Sequence, residues 1–216
     1  FRKLTFDKII PRAGEMDEKD EFPEDMVQCL AENSLLKLSL PEKYGGIDAN
    51  TATLSVVITE LSYGSAPIGT LMLATQSVIR VINQYGTEVQ KDRMFSVLSS
   101  GDKLNAFCLT EPNAGSSLSD ISTTAEPTDE EGVYKIQGQK IFISCGDHDA
   151  CENVVHLLLA KIKGGPVGTK GISLFVVPQK RVHSTQFAVN SSQLTTDNLE
   201  ANDVTTAGVY HKMGYK

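Results

Sequence analysis

The periodicity of apolar residues changes once along this chain, near Leu104, and that change limits the fold more than any composition figure. Up to about Gly101 apolar residues recur at helical spacing, and beyond Leu104 they fall into short alternating or continuous runs separated by Gly-rich and acidic turns. In 216 residues this reads as two domains of the α+β class, an all-helical one over 1–102 and a β-barrel or sandwich over 103–216. Leu54, Val57, Ile58 and Leu61 follow the i, i+3, i+4, i+7 rule, with Asn50 or Thr51 as cap and Gly64 as stop. Thr87 and Gln90 have capping-box spacing ahead of a helix expected to end at Gly101. Pro23 at a first-turn position predicts a helix running to about Leu36. The longest apolar stretch, Ala66 to Ile82, is broken by Gly69, Thr70, Thr75, Gln76, Ser77 and Arg80, so it reads as a buried helix and not as a membrane span. Strands are expected near 104–110, 121–126, 133–137, 139–144, 153–162 and 172–177, with a turn at 129–132. The polar stretch 185–203 has no periodicity and reads as a long loop or disordered insertion.

A net charge of −7 without a stripe of Lys and Arg gives the chain no source of attraction for phosphate backbones, which argues against nucleic acid as partner. The four cysteines form no C-x-x-C pair, which fits a reducing compartment, and Cys145, His148 and Cys151 lack a nearby fourth ligand for zinc. The chain begins at Phe1 inside an amphipathic pattern and reads as trimmed, without a signal peptide, so the acceptor pattern Asn190-Ser191-Ser192 is expected to be unused. Gly164 to Lys170 lacks the residue order of a P-loop, and no Gly-x-Gly-x-x-Gly follows a strand. The histidines are scattered; His156, inside an apolar strand, reads as a satisfied core or edge residue, and no hydrolase triad is visible.

Two segments carry candidate chemistry. The first, Phe107-Cys108-Leu109-Thr110-Glu111-Pro112-Asn113-Ala114-Gly115-Ser116, is a strand ending in a turn and a small-residue loop. Small residues expose successive N–H groups, and these with the Ser116 hydroxyl can hold a pyrophosphate without a lysine, while the Thr110 hydroxyl suits the polar edge of a planar heterocycle. A Gly-Ser after a strand also reads as a plain turn. The second, Gly138-Gln139-Lys140-Ile141-Phe142-Ile143-Ser144, sets an aromatic beside a hydroxyl, able to pack on a ring system and donate to it, or equally a core Phe and a capping Ser.

In this order and spacing the two segments resemble the acyl-CoA dehydrogenase family, whose pattern runs T-E-P-x-A-G-S and then x-G-x-K-x-aromatic-I-S/T. Ile10-Pro11, Phe22-Pro23, Leu40-Pro41-Glu42-Lys43-Tyr44-Gly45-Gly46, Glu60-Leu61-Ser62-Tyr63-Gly64 and the run from Gly171 to Pro178 extend the resemblance over nearly the whole chain. The resemblance implies α,β-desaturation of an acyl-CoA thioester with FAD as cofactor. It also implies that Phe107, Leu109 and Thr110 line the flavin, that Gly115 and Ser116 meet FAD phosphate and, at Ser116, acyl-CoA, and that Phe142, Ile143 and Ser144 flank the isoalloxazine. Glu111 and Pro112 are expected to shape the turn without reacting. The family's base is a glutamate beyond the β-domain, so no catalytic residue is expected here and the chain alone is expected to be inactive. Ser117, Ser144 and Phe142 stand where an acidic residue, threonine and tryptophan are frequent, which leaves flavin binding expected and the acyl chain unassigned. An electron-transfer flavoprotein as acceptor, a homo-oligomer (dimer or tetramer) and a cytoplasmic location, or the mitochondrial matrix in a eukaryote, follow from the resemblance. An acyl-CoA oxidase of the same fold and a flavoprotein-like binding module without dehydrogenation are the alternatives; rapid reoxidation of reduced flavin in air would mark the oxidase.

Overall fold

The computed structural model describes residues 1–19, 23–98, 104–148, 153–182 and 199–208. The expected boundary at 102/103, Phe22, Cys151, most of the polar stretch 185–203 with its Asn190 acceptor pattern, and the last residues, from 209 on, lie outside them.

The first helical run consists of α1 (Arg2–Leu4), a π-helical stretch over Thr5–Ile9 and α2 (Ile10–Lys19). Pro11 has no N–H to give and its ring crowds the carbonyl four residues back, and the helix is wide where the two meet. Next comes α3 (Glu24–Glu32), preceded by Pro23, whose carbonyl accepts from Met26 N and Val27 N at 3.0 Å each. It stops four residues short of Leu36, because Asn33 turns its amide back to the Cys29 carbonyl at 2.8 Å and Ser34 takes a left-handed φ of 58°. A 3-10 turn over Leu35–Lys37 follows.

Asn50 caps α4 (Thr51–Gly64), its Oδ1 accepting from Thr53 N at 2.9 Å. This helix buries Leu54, Val57 and Leu61, three of the four residues that carry the periodicity. The long apolar helix α5 (Ala66–Tyr85) buries Ile68, Leu71, Met72, Val78, Ile79 and Ile82, and no helix among the described residues is long and apolar enough to cross a membrane. Its Gln76, 1% exposed, accepts from Ser39 N at 2.8 Å and donates to the carbonyls of Leu35 and Leu36, both at 3.3 Å. One amide thus serves three backbone groups of the irregular 35–39 stretch, the Ser39 N–H, the Leu36 carbonyl and the Leu35 carbonyl, the last of which also accepts from Leu38 N at 3.4 Å. The Thr87 and Gln90 capping box is present at the start of α6 (Glu88–Leu98): Thr87 N donates to Gln90 Oε1 at 2.9 Å and Gln90 N to Thr87 Oγ1 at 3.2 Å. Between α3 and α4, Gly46 passes so near the Leu40 carbonyl that a Cβ would lie 1.8 Å from its oxygen, which accounts for glycine in Tyr44-Gly45-Gly46.

The second half is a mixed sheet of β1 (Asn105–Cys108), β2 (Thr124–Pro127), β3 (Tyr134–Gln137), β4 (Val155–Ile162) and β5 (Ile172–Pro178). β4 is its spine: its first half pairs parallel with β1, its end pairs parallel with β2, and its other edge pairs antiparallel with β5, while β2 and β3 form a hairpin. A two-stranded ribbon of β6 (Lys180–Val182) and β7 (Leu199–Ala201) follows, so the polar stretch expected as loop ends in a strand. The strand expected at 139–144 is not one. Ile141 N makes a single bond to Thr110 O at 2.9 Å, and Phe142 then takes a left-handed φ of 56°, which breaks the pleat. Inside–outside alternation survives without a ladder: Ile141 and Ile143 are half-buried, Phe142 and Ser144 exposed.

The layers meet where α5 packs on β1. Leu157 of β4 joins Val78, Ile79, Ile82 and Phe95 in one buried cluster, with Phe107 of β1 against it. Sheet and helices share a core, and the segments that follow β1 and β3 are held at its margin.

Candidate functional site

β1 delivers the first segment. Phe107 is half-buried against the α5 cluster, Cys108 is buried, and Leu109 and Thr110 leave the strand half-buried. Burial pushes the Cys108 thiol up to about 12 against the opposing charge of Lys140, so it packs as a protonated side chain. The chain then reverses over Glu111–Ala114: Glu111 N donates to Ala114 O at 3.0 Å and Ala114 N to Glu111 O at 3.1 Å, with Pro112 and Asn113 exposed at the tip. Gly115 and Ser116 follow, both exposed, and a Cβ on Gly115 would meet nothing within 4 Å.

The Glu111 side chain, 1% exposed, accepts from Lys140 Nζ at 2.8 Å, from Ser122 N and Oγ at 2.7 Å each, and from Thr123 N at 3.1 Å. Burial pushes this carboxyl up, but the hydrogen bonds from Lys140, Thr123 and Ser122 outweigh it and hold it at about 2. Glu111 is therefore a fixed anion that ties the turn to the strand entering β2 and to the second segment. Lys140, 8% exposed, also donates to Leu109 O at 3.2 Å.

Those contacts, with Ile141 N on Thr110 O, lay the second segment alongside the first. Phe142 is 63% exposed, Ile143 packs against the small cluster of Ala106, Cys108 and Val154, and Ser144 is exposed. Cys145 repeats the left-handed φ of 56°. Gly146 N closes a turn on Ile143 O at 3.3 Å, and Gly146 O lies 2.7 Å from Nε2 of His156, which is 5% exposed on β4. Nδ1 of the same ring is 3.1 Å from Val177 O on β5.

An open groove of about 3040 Å³ runs past Phe142, Ile143 and Ser144, but Phe107, Leu109, Thr110, Gly115 and Ser116 are not among its walls. The structure brings Leu109 and Thr110 to the second segment by direct hydrogen bonds and leaves Gly115 and Ser116 on the exposed loop beyond the turn. His156 is the satisfied core residue that the sequence suggests, with partners the sequence did not name, and sequence reasoning missed what Lys140 does. Lys140 meets its carboxylate 29 residues away, so no local pattern marks it. His156 did carry a signal, since a polar ring within an apolar run must find partners when buried.

A family model described as acyl-CoA dehydrogenase, N-terminal domain, matches residues 1–102, and one described as acyl-CoA dehydrogenase, middle domain, matches 106–209. The chain belongs to the acyl-CoA dehydrogenase family. A butyryl-CoA dehydrogenase of Syntrophomonas wolfei is 39% identical over 160 residues, 73% of this chain and 24% of that protein. An acyl-CoA dehydrogenase of Bacillus subtilis is 32% identical over 222 residues, covering 96% of this chain and 57% of its own length. The crystal structure of acyl-CoA dehydrogenase from Geobacillus kaustophilus superposes with a TM-score of 0.70 at 32% identity, over 82% of this chain and 45% of that one. The chain thus spans about a quarter to somewhat over half of the length of these relatives. Helices followed by a mixed sheet are the acyl-CoA dehydrogenase order of domains.

Proposed function

We propose that this chain contributes the helical domain, over 1–102, and the flavin-facing β-domain, over 103–216, of an FAD-dependent acyl-CoA dehydrogenase, which desaturates an acyl-CoA thioester between its α and β carbons. The observation that carries this reading is the pairing of the two segments through Ile141 N to Thr110 O and Lys140 to Glu111, within a chain of this family.

The donor set suits a flavin. Leu109 O and Thr110 O already accept from Lys140 and Ile141, so the Thr110 hydroxyl is the group offered to the ring's polar edge, with Phe107 and Leu109 as apolar lining. Phe142 and Ile143 supply apolar surface and Ser144 a hydroxyl beside it. The space over Gly115 and the Ser116 hydroxyl suit a phosphate, and Ser116 also faces acyl-CoA in this reading. Bound FAD would take the β-hydrogen as hydride while a carboxylate not assigned among these residues takes the α-proton. The chain's own residues orient the ring system, offer it donors and exclude water from one of its sides. Transfer onward to an electron-transfer flavoprotein, a dimer or tetramer as the working state, a role in fatty acid metabolism and a cytoplasmic or mitochondrial-matrix location belong to the same proposal.

Titration of the full-length protein with FAD, followed by visible absorbance and flavin fluorescence, tests it. The expected result is a shifted, quenched flavin that binds more weakly in Ser116→Ala and Ser144→Ala. A folded full-length protein that takes up no flavin refutes the reading.

A further inference from the structure

We propose that Glu111, Lys140 and His156 are positioning residues that clamp the two ends of the 141–146 segment and thereby set Phe142 and Ser144 against the flavin. The assignment of what they face rests on the function proposed above; the clamp itself rests on geometry.

Between its ends the segment is ill suited to hold its own shape. Phe142 and Cys145 both sit at a φ of 56°, where a side chain with a Cβ is disfavoured, and for a bulky aromatic this is a strained backbone that persists only if its surroundings fix it. The segment belongs to no strand, and Phe142 is 63% exposed. Its one described internal backbone bond, Gly146 N to Ile143 O at 3.3 Å, leaves its two ends to be fixed from outside. At the leading end, Lys140 is gripped by Glu111 at 2.8 Å and by Leu109 O at 3.2 Å, and the next residue donates to Thr110 O at 2.9 Å. Glu111 is in turn held by Ser122 and Thr123, so the grip is referred to the backbone entering β2, whose Thr123 carbonyl accepts from Lys161 N of β4 at 2.9 Å. At the trailing end, His156 Nε2 lies 2.7 Å from the Gly146 carbonyl, and in the tautomer with its proton on Nε2 it donates to that carbonyl from the middle of the sheet, at the residue that β4 pairs with Ala106 on β1 and Val177 on β5. Both ends are therefore fixed to the sheet by buried polar groups, while the residues between them are the ones aimed at the ligand. A bound ring system needs its aromatic neighbour and its hydroxyl donor fixed to within a fraction of an ångström, and supporting groups that lock them do so without touching the ligand.

The test uses the full-length protein and compares wild type with His156→Leu, His156→Gln and Lys140→Met. Hydrogen exchange read by mass spectrometry over peptides covering 139–148, without added flavin, reports the clamp alone. His156→Leu should raise exchange in this segment roughly tenfold, the loss of about one hydrogen bond, and Lys140→Met, which loses two, should raise it further, while peptides from α4 and α5 stay protected. His156→Gln, which can place an amide donor near the Nε2 position, should restore most of the protection. In flavin-loaded protein, His156→Leu should shift the flavin absorbance and reduction potential and lower kcat with little change in KM, and His156→Gln should restore them. If Lys140→Met fails to fold, the His156 pair decides. Unchanged exchange over 139–148 in folded His156→Leu overturns the clamp, whatever the flavin does. Raised exchange with an unaltered flavin spectrum and potential overturns the positioning role. A wild type that takes up no flavin, with exchange behaving as expected, refutes the function and upholds the clamp.

Discussion

Two ion pairs of this protein look alike by distance and by the acidity of their carboxyls and differ in burial. Lys43 and Glu88 meet at 2.9 Å on the helical half, Lys140 and Glu111 at 2.8 Å in the sheet half, and both carboxyls are held at about 2. Glu88 is 67% exposed and owes its shift to hydrogen bonds from Lys43 and Lys91, which water and salt can replace. Glu111 is buried and overcomes desolvation only through its full set of donors. A contact's length and a carboxyl's acidity therefore do not measure what it holds; the decisive quantity is what each partner would lose if left alone.

Lys140→Met is the sharpest way to break that contrast. It leaves Glu111 ionised and short of its one cationic partner, and we expect a loss of about 3–5 kcal/mol in urea unfolding. The acid limb carries the same contrast. The Glu111 pKa is lowered from 4.5 to about 2, so its contribution is complete above 4.5 and is lost as the pH falls from there towards 2. Stability measured against pH should fall more steeply over that window in wild type than in Glu111→Gln; parallel curves would refute the assignment. Gln76→Leu tests the neutral counterpart in the helical core, where the Ser39 N–H and the Leu36 carbonyl would lose the amide and the Leu35 carbonyl would keep only its bond from Leu38 N, and should cost about 1–3 kcal/mol. Asn50→Ala, which removes the exposed α4 cap, should cost about 1 kcal/mol. The smallest effect belongs to Lys43→Ala, whose thermal melt should superpose on wild type in 0.5 M salt, an ionic strength of roughly the order that shrinks screening lengths to a few ångströms.

The same division separates what the residues disclosed from what they hid. Helices α4 and α6 were readable because their signals are local: a cap, a repeat and a stop lie within α4 and a capping box opens α6, and Asn50, Thr87 and Gln90 do what their spacing says. The change from helical to strand periodicity gave the α+β order for the same reason. The Thr-Glu-Pro and Lys-Ile-Phe-Ile-Ser segments were legible as a pair only through their family pattern, and their contact depends on Glu111 and Lys140, far apart in sequence. The 139–144 run failed as a strand because alternation records which side chains face inward, and Ile141 and Ile143 do, but it carries no sign of the missing ladder or of φ at Phe142. The end of α3 was misplaced because an apolar run continues through Leu35 and Leu36, which are buried from a 3-10 turn instead. Gln76 reads in sequence only as an interruption of an apolar helix, since the backbone groups it serves lie on another element.

The parallel register of Asn105–Cys108 with Val155–Leu158 has a kinetic consequence. Every residue assigned to the site except Phe107 lies in the chain enclosed between these two strands, so the spine of the sheet closes only after that whole excursion has been brought back on itself. Loop closure of this length precedes any reward from the pairing, and such non-local contacts form late. Refolding should therefore register the helices first and the candidate site last, with His156 arriving on the same strand that completes the sheet.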